Sequence, residues 1–195
     1  MSTLFISDMH IGHENVIGFD DRPYKTSNEM DNDLIKRWNN KVKPGDVVYV
    51  LGDMIWKNRD NDAVNILKQL NGQIIVIKGN HDRFLKRPEV KKILAAVKDY
   101  DDITVKLNDG SIQRCILSHY YIPFYNGHRR NAIQLHGHSH NTDEHFVEIN
   151  LDRLLNNQGY NLRHFNVGCM HPWMNYEPRT LDEILEYFKN GGKNG

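Results

Sequence analysis

Five apolar runs in this chain each lead into a side chain able to hold a metal, and that repetition constrains the fold more than any other feature. The runs are Leu4-Phe5-Ile6, Val47-Val48-Tyr49-Val50-Leu51, Ile74-Ile75-Val76-Ile77, Cys115-Ile116-Leu117 and Ile133-Gln134-Leu135. They feed Asp8-Met9-His10, Gly52-Asp53, Gly79-Asn80-His81-Asp82, Ser118-His119 and Gly137-His138-Ser139-His140. Short runs of this kind, rich in β-branched residues and closed by turn residues, read as buried strands. In α/β sheets, ligands gather in the loops at the carboxyl ends of the strands. One strand-end Asp or His would carry little weight, but five imply one shared site.

The donor set fixes what that site can be. A single structural zinc takes four ligands, usually with Cys among them. Asp8, His10, Asp53, Asn80, His119, His138 and His140 are too many for one ion and suit two divalent metal ions sharing a carboxylate. Asp53 is the natural bridge, because it follows a central strand and has two oxygens to share. Asp8 and His10 are two apart, as are His138 and His140, so in extended chain each pair would point to one side. Gly52, Gly79 and Gly137 permit a sharp turn and a close backbone approach. Two metals so placed clamp the attacking and leaving oxygens of a phosphoryl transfer. Oxygen and imidazole donors suit manganese first, with iron, zinc, cobalt or nickel as alternatives.

The ordered pattern Asp-x-His, Gly-Asp, Gly-Asn-His-Asp, His, Gly-His-x-His over residues 8–140 resembles the calcineurin-like metallophosphoesterase superfamily. The resemblance implies an α/β fold, a four-layer αββα sandwich of two mixed sheets flanked by helices, with a dinuclear centre that hydrolyses phosphoesters. It implies that Asp8, His10, Asp53 and His140 hold one metal, and that Asp53, Asn80, His119 and His138 hold the other. His81 is then the catalytic acid and Asp53 the catalytic bridge, with a metal-bridging hydroxide as nucleophile. Asp82 is expected to orient its neighbours. Ser7, Ser118 and Ser139 are left with local hydrogen bonding.

The rest of the pattern suggests the scaffold. At 195 residues the chain fits one domain, 1–195, with a sizeable core. Strands are expected at 3–7, 46–51 and 73–78, alternating with helices near 27–40, 61–70 and 88–98. Thr26 with Glu29 forms a capping box for the first of these helices, and Met30, Leu34, Ile35 and Trp38 form its apolar face. The second half is expected to be rich in strands (101–107, 111–117, 132–136, 145–149 and 161–167) and mostly antiparallel, the first two joined by Asn108-Asp109-Gly110. A final helix, 181–189, opens on a Thr180/Glu183 capping box.

Charge and loops bear on the substrate. The net charge of +0 offers no global field for long nucleic acid or an anionic membrane. No apolar run has transmembrane length, and the start Met1-Ser2-Thr3-Leu4 lacks a signal-peptide layout. With Cys115 and Cys169 read as buried reduced thiols, the expected location is cytoplasmic. The segment between His10 and Gly52 is expected to form a loop or lid, with His13 and Arg22 facing substrate. Arg83 and Arg129-Arg130 are candidate phosphate clamps. Tyr120, the rest of the aromatic run to Tyr125, and Trp173 either stack on a base or pack over a loop. The expected substrate is a small phosphodiester or phosphomonoester, with a nucleotide-derived ester among the candidates. A nuclease and a non-catalytic metal-binding scaffold are the alternatives.

Overall fold

The computed structural model describes residues 1–56 and 62–191. The first half builds a sheet. The strands are β1 (Thr3–Ile6), β2 (Val47–Val50), β3 (Gln73–Ile77) and β4 (Ala96–Lys98). They lie side by side in the order β4-β3-β2-β1, all parallel. A fifth strand, β9 (Arg179–Thr180), closes the β1 edge antiparallel. Between β1 and β2 come a short helix α1 (Val16–Phe19) and the longer α2 (Ser27–Lys41); α3 (Asp62–Leu67) joins β2 to β3. The start of the helix expected near 61 lies outside the described residues. On α2, Met30, Leu34 and Trp38 are buried one turn apart, each of the first two contributing about 1.5–3 kcal/mol of apolar transfer. Thr26 accepts from the Glu29 N–H, but the Glu29 carboxylate takes the Lys25 N–H instead of that of Thr26. The expected reciprocal box is therefore one-sided there, whereas at Thr180 both halves form.

Two expected elements differ. The helix placed at 88–98 stops early: α4 is Pro88–Ile93, and Ala96–Lys98 is the strand β4. Leu94 leaves helical geometry at φ −72°, ψ 139°, and Val97 pairs beside Val76. The strand placed at 145–149 is part of a 15-residue helix, α5 (Asp143–Asn157). The run His145-Phe146-Val147-Glu148-Ile149 carries β-branched residues, but Asp143 and Glu144 favour a helix first turn. His145 and Ile149, four apart, are the side chains that α5 buries.

The second sheet runs β5 (Asp101–Lys106), β6 (Ile112–Leu117), β7 (Ile133–His136) and β8 (His164–Asn166). Only β5 and β6 pair antiparallel; β6, β7 and β8 are parallel. The mostly antiparallel expectation for this half is therefore wrong, because the returns into β7 and β8 are long crossovers. A final helix, α6 (Leu181–Lys189), follows β9. Both sheets are mixed, helices flank them, and one apolar core takes side chains from each, including Phe5, Val50, Leu117 and Leu135. A parallel bridge, Ser7 to Gly168, joins the sheets at the carboxyl end of β1. That end is where the ligand loops meet.

Candidate metal centre

Three of the five ligand loops break their strand's geometry just past the strand end. Asp8, His10, Asp53, His138 and His140 all have left-handed backbone, with φ between 47° and 71°. Such values cost a non-glycine residue about 1–3 kcal/mol, and strain of this kind gathers at functional sites. It also corrects the expectation of extended chain: Asp8 and His10 turn toward the centre through two left-handed residues, with Met9 buried between them. Gly52 (φ 92°) completes the turn before Asp53, and a Cβ there would fall 2.2 Å from His119 Nδ1. At Gly79 a Cβ would fall 2.2 Å from Asp53 Oδ1. These loops close on each other only as glycine.

The carboxylates lie at the middle. Asp53 Oδ2 is 3.7 Å from His10 Nε2 and 3.6 Å from His119 Nε2. Asp8 Oδ1 is 3.5 Å from His140 Nε2. Among the described residues, two groups bring ligand atoms within 4.8 Å of one another: Asp8, His10 and His140, and Asp8, Asp53 and His119. Asp8 as well as Asp53 therefore lies on the seam between them. Asn80 Oδ1 joins the second group, 2.9 Å from His119 Nε2 and 3.1 Å from His138 Nδ1.

The hydrogen bonds around this set show that a cation fits it. His119 Nδ1 is 2.8 Å from the Leu51 carbonyl, to which it donates. That leaves Nε2 as the ring nitrogen turned to Asn80 Oδ1 and Asp53 Oδ2, the orientation of a metal ligand. His140 repeats the arrangement: Nδ1 donates to Asp20 Oδ1 at 2.8 Å, leaving Nε2 facing Asp8 and, at 3.1 Å, His10 Nε2. Metal-binding imidazoles are held this way, by a carboxylate or carbonyl on the far nitrogen. Burial lowers the His10 pKa far below its ordinary value, with His140 and Arg22 acting in the same direction. Burial lifts that of Asp53, opposed by His119 and reinforced by Asp8. For His140, burial lowers the pKa, but Asp8 and Asp20 outweigh it and raise the value.

The supporting residues were only partly visible beforehand. Asp82 is buried and accepts from the backbone N–H groups of Asp53, Met54 and Gly79, orienting two ligand loops at once; burial pushes its pKa up to about 6. Arg22, expected to face substrate, is buried. Its guanidinium donates to Asp20 and to the Asp8 and Met9 carbonyls, because the left-handed turn there leaves those carbonyls in need of donors. Asp20 was not foreseen; its nearness in sequence to Arg22 was the available signal. Cys169 lies under the same loop, its Sγ 3.3 Å from the Asp8 carbonyl. Both cysteines are free and buried, with pKa values pushed up to about 12 by burial.

The remaining candidates divide. His81 donates its backbone N–H to Asp53 Oδ1, and its ring centroid is 5.9 Å from that of His10. The His13 ring is 5.5 Å from that of His10, and the Tyr120 ring 4.4 Å from that of His138. Arg83 is exposed at the start of a 3-10 turn, its N–H on the His81 carbonyl. Arg129 lies over Tyr160. Trp173 and Tyr125 are buried, the first stacked on His171 and the second bonded to the Ala132 carbonyl. Those two pack, and offer no face to a base.

A family model described as calcineurin-like phosphoesterase matches residues 1–192, and the chain belongs to that family, for which metal-dependent hydrolysis of phosphoric esters is implied. An uncharacterised protein of Methanocaldococcus jannaschii is 49% identical over 80 residues, which span 40% of this chain and 46% of that protein. The gene 66 protein of Mycobacterium phage D29 is 29% identical over 93% of both chains. The crystal structure of a protein of unknown function from Aquifex aeolicus matches 95% of this chain and 98% of its own, with a TM-score of 0.67 at 24% identity. That likeness shows a shared fold. No helix of the described residues is long and apolar enough to cross a membrane.

Proposed function

We propose that this chain hydrolyses a small phosphodiester at the strand-end centre, using two divalent cations, manganese first among the candidates. The observation that carries the reading is the convergence of ligand atoms, from Asp8, His10 and His140 and from Asp8, Asp53 and His119, each set within 4.8 Å, with Asn80 Oδ1 beside the second. Asp8, His10, Asp53 and His140 would hold one cation, and Asp53, Asn80, His119 and His138 the other. Bound there, the cations supply Lewis acidity to the phosphoryl group and an acidified water as nucleophile.

The chain's own residues do the rest. His81 is half-buried at the edge of the ligand set, placed to give a proton to the departing oxygen. Its backbone N–H on Asp53 Oδ1 ties the acid to the shared carboxylate. The preference for a diester follows from charge. Among the described residues, the recess beside His138 and His140 is lined by Phe19, Asp20, Thr142, Asp143 and Glu144, none of them Lys or Arg, and Arg22 is spent on Asp20 and on backbone carbonyls. A singly charged diester suits such a rim better than a doubly charged monoester.

The test is a manganese-supplemented comparison of a chromogenic diester, a chromogenic monoester and cyclic nucleotides, on the wild type and His81→Ala. The diester should turn over faster than the monoester. His81→Ala should lose about 10²-fold or more on esters with poor leaving groups while metal content holds. Absence of hydrolysis with both metal sites filled would overturn the reading, and wild-type turnover by His81→Ala would remove that residue from its role.

A further inference from the structure

The mouth of the centre has an aromatic wall that metal binding does not require. Past the ligand loops, the β1–β2 pairing resumes for one step: Ile11 bridges Ile55, and the Trp56 N–H donates to the Ile11 carbonyl at 3.0 Å. This fixes Trp56 at the rim. Its ring lies flat on that of His13, with centroids 3.8 Å apart and planes 9° from parallel. The same indole is 4.8 Å from the His81 ring and 6.0 Å from the His10 ring. Phe19 continues the wall, edge-on to His13 at 6.2 Å.

Among the three tryptophans, the one in this wall is the one left open. Trp38 and Trp173 are buried, with each indole N–H on a backbone carbonyl. Trp56 stays 40% exposed and Phe19 72% exposed. A large aromatic that could gain stability by burial, yet is held open beside a polar centre, presents its face to something else. The ligand set below is charged and hydrogen-bonding, so what fits the wall is flat and aromatic and joined to a phosphoryl group.

Resting on the reading of the centre as a phosphoesterase, we propose that the His13–Trp56 stack is a substrate subsite for an aromatic heterocycle carried by the ester, the base of a nucleotide. His81, next to the indole, then lies between this subsite and Asp53. A stacked base is recognised by its face, so the subsite accepts any base and distinguishes nucleotides from sugar phosphates without one.

Adenosine 5′-monophosphate and ribose 5-phosphate carry the same phosphate and differ by the base, and they separate the possibilities. Trp56 is the exposed tryptophan among three, so its fluorescence reports binding without turnover. In His81→Ala protein loaded with manganese, the nucleotide should quench at concentrations ~10–100-fold lower than ribose 5-phosphate, the range a stacked base provides. In wild type, the two as inhibitors of chromogenic diester hydrolysis should show the same ratio. Trp56→Leu should collapse the ratio toward one, and Trp56→Phe should retain most of it. Equal potency of the two ligands, or a ratio unchanged in Trp56→Leu, overturns the subsite even if the diester is hydrolysed. Base-dependent quenching in a protein that hydrolyses no ester keeps the subsite and overturns the phosphoesterase reading.

Discussion

Two groups of buried histidines lie in this molecule, and only one of them looks like a metal centre. At the strand ends, His10, His119 and His140 turn ring nitrogens toward Asp8 and Asp53, His10 and His140 from left-handed backbone. Beneath α5, His136, His145, His164 and His171 are buried as well, yet their partners differ. His136 Nδ1 donates to the Gly137 carbonyl; His164 Nε2 donates to that of Ile122, and its Nδ1 meets the single carboxylate of Asp152 at 2.8 Å. His145 Nδ1 is 3.4 Å from Glu148, which Ser139 already occupies. His171 lies flat on Trp173. Among the described residues, no three ligand atoms converge in this second group. Burial of histidine therefore does not mark a site. What marks it is three or more ligand atoms converging on shared carboxylates, several of them on strained left-handed backbone.

The largest test of that contrast is Asp53→Asn. The shape is kept, the shared carboxylate is lost, and turnover should fall by about 10³-fold or more, the several kcal/mol a metal centre supplies. The chelated protein should respond in the opposite sense. Burial and the neighbouring Asp8 both raise the Asp53 pKa, so an uncharged amide should hold or raise the thermal midpoint without metal. A midpoint that drops sharply in chelator would mean that Asp53 is a structural acceptor like those under α5.

The same contrast explains what could be read from sequence. The ligand positions were legible because each follows a short apolar run, closed by glycine at Gly52, Gly79 and Gly137, and these are local signals. The Thr180 cap and the buried face of α2 were legible for the same reason. His145–Ile149 was misread because five residues with β-branched members look alike in a strand and in a helix; the deciding residues, Asp143 and Glu144, precede them. Arg22 was misread because a guanidinium near a phosphate site normally faces substrate, and nothing local shows that two carbonyls freed by the turn at Asp8 and Met9 will take it. Trp56, three residues after Asp53, had no periodicity to mark it, since its place depends on a bridge to a distant strand.

Asp20 sharpens the contrast from behind His140, on the ring nitrogen turned away from the centre. It accepts from His140 Nδ1 and from Arg22, both at 2.7–2.9 Å. Asp20→Ala frees the imidazole to rotate and should weaken metal binding by ~10–100-fold, the usual effect of removing such a partner. A manganese titration checks it. The thermal midpoint should fall too, because the Arg22 guanidinium stays buried without its carboxylate. Unchanged metal affinity would show that the tautomer of His140 is held by something else.

The smallest effect belongs to the second group, and its sign follows from burial. His136 has its pKa lowered to about 4, and His171 well below 6.5, both chiefly by burial. In the unfolded chain these rings titrate near 6.5, so as pH falls below that value the unfolded state takes up protons that the fold refuses. Stability is then full above about pH 7 and declines on acidification, by up to ~1.4 kcal/mol per pH unit for each group until its folded pKa is reached. Ligand histidines with lowered pKa values add to this slope when metal is removed, so the two groups must be separated by substitution. His171→Phe keeps a flat ring against Trp173 and removes a buried Nε2 that has no hydrogen-bond partner among the described residues. Urea midpoints from pH 7.5 to 4.5 in chelator should show a shallower decline for this variant than for wild type, with little difference at pH 7.5. Parallel curves would place the acid sensitivity entirely in the strand-end centre, and would leave the histidines under α5 as packing alone.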